Sequence, residues 1–103
     1  MVQTVPRKRI EILVDTPLVP RVVTLLKAVD ISGWSLIHVD SGGGRTGEWQ
    51  HDDVTGAGAK SILLTIASEE KTTALMEALA PLLDSYGMLL TISDVQVIRG
   101  ERF

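Results

Sequence analysis

The sequence predicts a single α+β domain in which a four-stranded antiparallel sheet is covered on one face by two helices. Segments with the alternating polarity of a strand and segments with the periodicity of an amphipathic helix succeed one another, and they do so twice in the order βαβ. In a chain of 103 residues, the economical arrangement of two such units is one sandwich that spans residues 1–103.

The first βαβ unit lies before residue 40. Residues 9–14 (RIEILV) alternate so that Ile10, Ile12 and Val14 lie on one face, as in a half-buried strand. Asp15 followed by Pro17 is typical of a helix start, and Gly33 is the expected stop. Residues 34–39 (WSLIHV) form the second predicted strand. The apolar residues of the helix between them have the spacing of one buried face: they are Leu18, Val22, Leu25, Leu26 and Val29.

The second unit repeats this plan. Residues 61–67 (SILLTIA) are predicted to form a strand, and Ser68 to cap the helix that follows. Pro81 is expected to kink this helix or to start a new final turn, and Gly87 to end it. Residues 88–98 form the last predicted strand. The complete order is that of a ferredoxin-like βαββαβ sandwich with a long loop between its second and third strands.

Two features of the strands indicate further contacts. The apolar phase of the last strand changes after Ile92, so a bulge or bend is expected at residues 93–94. The strand face away from the helices is also predicted to be apolar, which indicates a partner subunit, and we expect a homo-oligomer. The residues assigned to this second face are Leu13, Ile37, Val39, Leu63 and Leu89.

Composition excludes several classes of function. The formal net charge is −3, which argues against nucleic-acid binding because such surfaces need clustered lysine and arginine. Aromatic residues are 4%, and SILLTIA lacks the aromatic platform of an RNA-recognition domain. The chain has no cysteine, so thiolate sites are excluded.

No apolar run approaches the roughly 18 residues of a membrane-spanning helix, and no signal-peptide core begins the chain. We therefore expect a cytoplasmic protein with neither membrane insertion nor a cofactor.

The segment between the two units, residues 38–60 (HVDSGGGRTGEWQHDDVTGAGAK), is rich in glycine and charge. A dinucleotide-binding fingerprint needs a helix directly after the glycine turn, and no helical pattern follows here. Consecutive glycines can, however, direct several backbone N–H groups at one anion, and a neighbouring guanidinium adds a bidentate contact. Gly42, Gly43, Gly44 and Arg45 are therefore a candidate phosphate-binding nest.

Metal binding and catalysis are alternatives for the same segment. Imidazole and carboxylate groups are suitable metal ligands, but no spacing places two of them on one helix face. No pattern fixes a nucleophile beside a base, so an enzyme is not expected. The possible ligands are His38, Asp40, His51, Asp52 and Asp53.

Three pieces of the chain resemble the PII superfamily of signalling proteins. Residues 33–47 (GWSLIHVDSGGGRTG) resemble the family's second strand and the entry to its long T-loop, which would span about residues 40–59. Residues 85–97 (SYGMLLTISDVQV) resemble the turn into the last strand. Residues 97–102 (VIRGER) resemble the basic strand end that reaches a neighbouring subunit. The resemblance covers nearly the whole chain.

The resemblance implies a homotrimer that binds an adenine nucleotide in the clefts between subunits and controls a target protein through the T-loop. Trp49, in the T-loop, would contact that target. The residues implied in nucleotide or anion binding are Ser41, Gly42, Gly43, Gly44, Arg45, Tyr86, Gly87, Met88, Arg99 and Arg102.

Two departures from the nitrogen-regulatory PII proteins refine this prediction. The turn at residues 84–88 (DSYGM) lacks the basic residues that grip a triphosphate, and the T-loop has no tyrosine for uridylylation. Both features are similar to the PII-like subgroup associated with bicarbonate transporters and carboxysome gene clusters. That similarity implies a non-enzymatic sensor of AMP, ADP, ATP or cyclic AMP, with bicarbonate as a further ligand and a membrane transporter as its partner. The alternatives are a metal-binding trimer similar to the CutA proteins and an ACT-type module that binds an amino acid.

Overall fold

The computed structural model describes residues 2–44, 47–50, 59–99 and 103. Strands β2, β5, β1 and β6 form one antiparallel sheet in that order, and β3 pairs with β4 in a separate two-stranded ribbon. The elements in chain order are β1 (Val5–Asp15), a 3₁₀ turn (Thr16–Leu18), α1 (Val19–Ala28), β2 (Ser35–Val39), β3 (Ser41–Gly44), β4 (Gly47–Gln50), β5 (Lys60–Ala67), α2 (Glu69–Tyr86) and β6 (Leu89–Val97). The predicted ferredoxin-like sandwich is confirmed. The ribbon lies in the segment for which the sequence predicts no structure.

The core lies between the sheet and the two helices. Ile10, Ile12 and Val14 face the helices and are buried, as the alternation of β1 predicts. From the helices, Val22, Leu26, Leu75 and Leu79 are buried against them. Truncating a buried aliphatic side chain of this kind to alanine typically costs about 2–5 kcal/mol of folding free energy. Among the described residues, no helix is long and apolar enough to cross a membrane.

The face assignment of β5 was wrong. Leu63 is fully buried under the helices, whereas Ile62, Leu64 and Ile66 are half-buried on the opposite face. The register explains this, because Ile12 lies directly opposite Leu63 and cross-strand partners point to the same side. Both faces of SILLTIA carry apolar residues, so the alternation alone does not decide which face is covered.

Small polar side chains occupy part of the covered face of β5. Ser61 is buried, and its hydroxyl lies 2.8 Å from Thr16 Oγ1 and 3.3 Å from His38 Nδ1. The buried hydroxyl of Thr65 donates a hydrogen bond of 2.6 Å to the carbonyl of Gly33. These hydrogen bonds offset the penalty of burying polar groups.

The ends of α1 differ from the prediction. Asp15 makes no side-chain capping hydrogen bond and instead pairs with Lys60 of β5. The helix ends well before Gly33. Asp30 takes the left-handed conformation after it, with φ at 63°, and its carbonyl accepts a hydrogen bond of 2.8 Å from Lys71 Nζ.

The ends of α2 agree with the prediction. The hydroxyl of Ser68 accepts a hydrogen bond of 3.2 Å from the Lys71 backbone N–H, and Gly87 ends the helix. Pro81 lies inside the helix, but α2 continues through it as one element, so no new turn starts there.

Strand β6 pairs with β1 without interruption, so the predicted bulge at residues 93–94 is wrong. Because the phase does not change, Val95 and Val97 lie on the side of the sheet away from the helices. Asp94 lies on the other side, where its carboxylate is 2.5 Å from Lys8 Nζ.

The sheet face away from the helices, called the open face below, carries many apolar side chains, as predicted apart from Leu63, and also the ion pair of Arg9 and Glu11. Ile37 is 47% exposed and Leu89 is 57% exposed. Large apolar side chains exposed together are typical of a surface that contacts a partner. The apolar residues of the open face are Val5, Leu13, Ile37, Val39, Ile62, Leu64, Ile66, Leu89, Val95 and Val97.

Candidate ligand-binding site

A groove of about 540 Å³ lies at the end of the open face, where β1 ends and β6 begins. Small-molecule sites in proteins commonly have volumes of about 300–1,000 Å³, so the groove can hold a ligand of that class. It is called the ligand groove below. Its described lining consists of Leu13, Val14, Asp15, Gly43, Gly44, Lys60, Tyr86, Gly87, Met88 and Leu89.

The ligand groove brings together two predicted parts of the site that are distant in sequence. Gly43 and Gly44 of β3 line it together with the turn residues Tyr86, Gly87 and Met88. Ser41 and Gly42 belong to the same strand but are outside the lining. Because glycine has no side chain, the backbone of β3 can approach a ligand closely.

The turn between α2 and β6 depends on Gly87. Its φ of 64° and ψ of 30° are in the left-handed region, which residues with a Cβ rarely adopt. A Cβ added at this position would meet no heavy atom within 4 Å. Gly87 is therefore required for its conformation and not because of close packing. This turn directs Tyr86 and Met88 to the groove.

An ion pair between Asp15 and Lys60 supplies the charge in the lining. The two residues are direct cross-strand partners at the ends of β1 and β5. Of the described lining residues, Lys60 is the one with a cationic side chain. Lys60 was not among the predicted site residues, because its position depends on how β1 pairs with β5. The available signal was a lysine at the first position of the strand after the glycine-rich segment.

Tyr86 is held from outside the groove by Arg21 of α1. Arg21 Nη1 donates a hydrogen bond of 3.1 Å to the Tyr86 hydroxyl. The guanidinium carbon also lies 5.4 Å from the centre of the tyrosine ring, within cation–π range. These two contacts fix the position of a side chain that lines the groove.

Of the remaining residues predicted to bind the ligand, Arg99 is described and does not line the groove. Arg99 lies beyond the far end of β6, whose nine residues span about 30 Å at about 3.3 Å per residue. Arg45 and Arg102 lie outside the described residues. Trp49 is in β4, where its backbone lies opposite Gly42, and its side chain is outside the described part.

His38, one of the possible metal ligands, forms a hydrogen bond of 3.3 Å with the hydroxyl of Ser61. Within the described ranges, no three His, Cys, Asp or Glu residues are grouped so that they could hold a metal ion. Three of the possible metal ligands, His51, Asp52 and Asp53, lie outside those ranges.

The family of the chain follows from comparison with known proteins. The model of the family described as nitrogen regulatory protein P-II matches residues 7–102. The chain belongs to the P-II family. A comparison with curated proteins finds no match.

Three solved structures have a similar fold, and two of them are of PII-like proteins. CPII of Thiomonas intermedia K12, bound to ADP, AMP and bicarbonate, is 22% identical, with a TM-score of 0.92 over 100% of this chain and 98% of that one. A PII-like signalling protein of Thermus thermophilus is 25% identical, with a TM-score of 0.83 and coverage of 98% of both chains. A DUF3240 family protein of Shewanella baltica OS155 is 17% identical, with a TM-score of 0.66 over 84% of this chain and 86% of that one.

Proposed function

We propose that this P-II family protein is a non-enzymatic, cytoplasmic regulator that binds an adenine nucleotide in the ligand groove. The observation that carries the proposal is the meeting of the glycine strand β3 with the turn at residues 86–88 in one groove. A PII-like structure of the same fold, CPII, holds ADP, AMP and bicarbonate.

The lining of the groove suits a ligand with a flat ring and a phosphate. The backbone at Gly43 and Gly44 is open to close approach by an anion, and Lys60 provides a positive charge in the same groove. Tyr86 and Met88 offer aromatic and thioether surfaces to a base. Arg45 follows the glycine run directly and would add a bidentate phosphate contact. Bicarbonate, as a small anion, would use the same kind of donors.

The open face supports a homotrimer, as in the PII superfamily that the sequence resembles. It carries a row of apolar side chains, it is not covered by the chain's own helices, and it leads into the ligand groove. In such an assembly the groove would lie next to a subunit interface. Arg99, which does not line the groove of its own chain, would then reach the groove of a neighbour together with Arg102.

The proposed mechanism is a shift between conformations of the T-loop, about residues 40–59. The strand β3 both lines the groove and begins this segment. A nucleotide that contacts Gly43 and Gly44 would favour one arrangement of the T-loop through contacts that the other arrangements lack. A target protein, such as a membrane transporter, would bind that arrangement, with Trp49 as an aromatic anchor.

Calorimetric titration with AMP, ADP, ATP and cyclic AMP, each with and without bicarbonate, tests the proposal. We expect saturable binding of about one nucleotide per subunit, weakened at least about tenfold by Arg45→Ala, the loss expected for a charge-assisted hydrogen bond. Lys27→Ala, which removes an exposed cation of α1 outside the groove lining, is the control and should bind as the unaltered chain does. Absence of heat with every nucleotide, or unchanged affinity of Arg45→Ala in a folded protein, would contradict the assignment.

A further inference from the structure

A second cavity, of about 330 Å³, lies between the two helices, and none of its described lining residues lines the ligand groove. We call it the interhelical groove. Four of its six described lining residues are apolar, so it offers mainly hydrocarbon surface. The described lining consists of Arg21, Thr24 and Leu25 from α1, and Ala78, Pro81 and Leu82 from α2.

Arg21 is the charged residue of this lining. A guanidinium has five N–H donors, and the contact with Tyr86 uses one of them. In the described part of the chain, no carboxylate lies within ion-pair distance of Arg21. A cation without a carboxylate partner, beside an apolar groove, is complementary to an anion that carries an apolar group.

We propose that the interhelical groove binds a small amphipathic carboxylate. Its hydrocarbon chain would lie between Leu25 and Leu82, and its carboxylate would accept hydrogen bonds from Arg21. The volume is at the lower end of the range for small-molecule sites, which favours a short carboxylic acid. A nucleotide phosphate would need more donors than one guanidinium and one hydroxyl supply.

The contact between Arg21 and Tyr86 connects the interhelical groove to the ligand groove. Arg21 lines the interhelical groove, Tyr86 lines the ligand groove, and the two side chains hold each other. A carboxylate bound to the other N–H donors of Arg21 would neutralise the guanidinium and so weaken its contact with the Tyr86 ring. Any effect on nucleotide affinity rests on the proposed function, whereas binding of the carboxylate does not.

Octanoate, below its micelle concentration and without nucleotide, is the probe. Calorimetry on the full chain gives its affinity. The NMR signals of the Tyr86 ring report on the contact with Arg21, since Tyr86 is the single tyrosine of the chain. We expect saturable binding that shifts the ring signals. Arg21→Gln should weaken it about tenfold or more, as for loss of a charge-assisted hydrogen bond. Ala78→Leu, which fills the groove, should also weaken it, and Lys27→Gln should leave it unchanged.

Several results would overturn the proposal. These are absence of saturable octanoate binding, undiminished binding to Arg21→Gln, or equal losses in Arg21→Gln and Lys27→Gln, which would indicate a general charge effect. Circular dichroism confirms that each variant is folded. A separate titration with ADP distinguishes the two hypotheses. A protein that binds ADP but does not bind octanoate would contradict this inference alone. A protein that binds octanoate but binds no nucleotide would contradict the proposed function alone.

Discussion

Asp15 and Lys60 form an ion pair that joins the last residue of β1 to the first residue of β5 at the ligand groove. The carboxylate thus engages the cation that an anionic ligand would use. The side chains of Asp15 and Lys60 remain 35% and 28% exposed, so a ligand can reach them. Binding of an anion would replace one carboxylate partner of Lys60 with another acidic group.

Substitutions of the two partners should therefore have opposite effects on nucleotide binding. Lys60→Gln removes the positive charge and should weaken ADP binding about tenfold, whereas Asp15→Asn removes the competing carboxylate and should strengthen it a few-fold. Calorimetry at low ionic strength measures both, with Lys27→Gln as the control for net charge. If both substitutions weaken binding equally, the pair supports the structure and does not compete with the ligand.

The left-handed turn at Gly87 can be tested with a pair of glycine variants. Gly87→Ala should destabilise the fold by about 1 kcal/mol because a Cβ disfavours a positive φ, which lowers the melting temperature of a domain this size by about 4–8 °C. Gly33→Ala is the matched control, since its Cβ would also meet no atom within 4 Å and its φ is outside the positive range. Similar melting temperatures for the two variants would show that the positive φ at position 87 imposes no extra cost on alanine.

The open face should be the surface through which subunits associate. Ile37→Glu places a charge on this face and should convert the oligomer to monomers, because burial of an unpaired charge is strongly unfavourable. Met76→Glu is the control, because Met76 is also exposed but lies on α2. Sedimentation equilibrium measures the mass of each. An Ile37→Glu variant that keeps the mass of the unaltered protein would assign the interface to another surface.

The ion pair of Lys8 and Asp94 predicts a dependence of stability on alkaline pH. The hydrogen bond from Lys8 to Asp94, together with the negative charge of Asp94, raises the pKa of Lys8 above its ordinary value of 10.5. A raised folded-state pKa gives a stabilisation that is fully present below the unfolded pKa and is lost as pH rises through the folded value. Lys8→Met should therefore have a slightly lower melting temperature than the unaltered chain at pH 8, and the difference should disappear as the pH rises through the raised pKa of Lys8. A difference that persists at high pH would assign the effect to packing of the lysine side chain.

How far the sequence predicts the structure depends on the contrast between the two faces of each element. In β1 the apolar Ile10 and Ile12 alternate with charged residues, and the covered face was identified correctly. In β5 apolar residues occur on both faces, so only the pairing of Leu63 with Ile12 decides which face is covered. Ser61 and Thr65 are buried there because Thr16, His38 and Gly33 provide hydrogen-bond partners, and these come from distant parts of the chain.

In the candidate site, too, the residues that were predicted belong to local sequence patterns, and those that were missed depend on contacts between distant parts of the chain. The glycine run and the turn around Gly87 are local patterns, and a family resemblance was enough to place both in one site. Lys60 and Arg21 have no such local signal. The first reaches the ligand groove through the register of β1 and β5, and the second reaches Tyr86 through the packing of α1 beside α2. Contacts of this kind need the three-dimensional structure.

The glycines of β3 also affect how firmly the ribbon is paired. In most strands a slip of one residue moves every side chain to the opposite face, which penalises any change of register. Three of the four residues of β3 have no side chain, so sliding β3 past β4 transfers no apolar group and is opposed mainly by a few backbone hydrogen bonds. Each such step displaces the pairing by about 3.4 Å. A ligand bonded to the backbone at Gly43 or Gly44 could therefore select one register with the free energy of one or two hydrogen bonds.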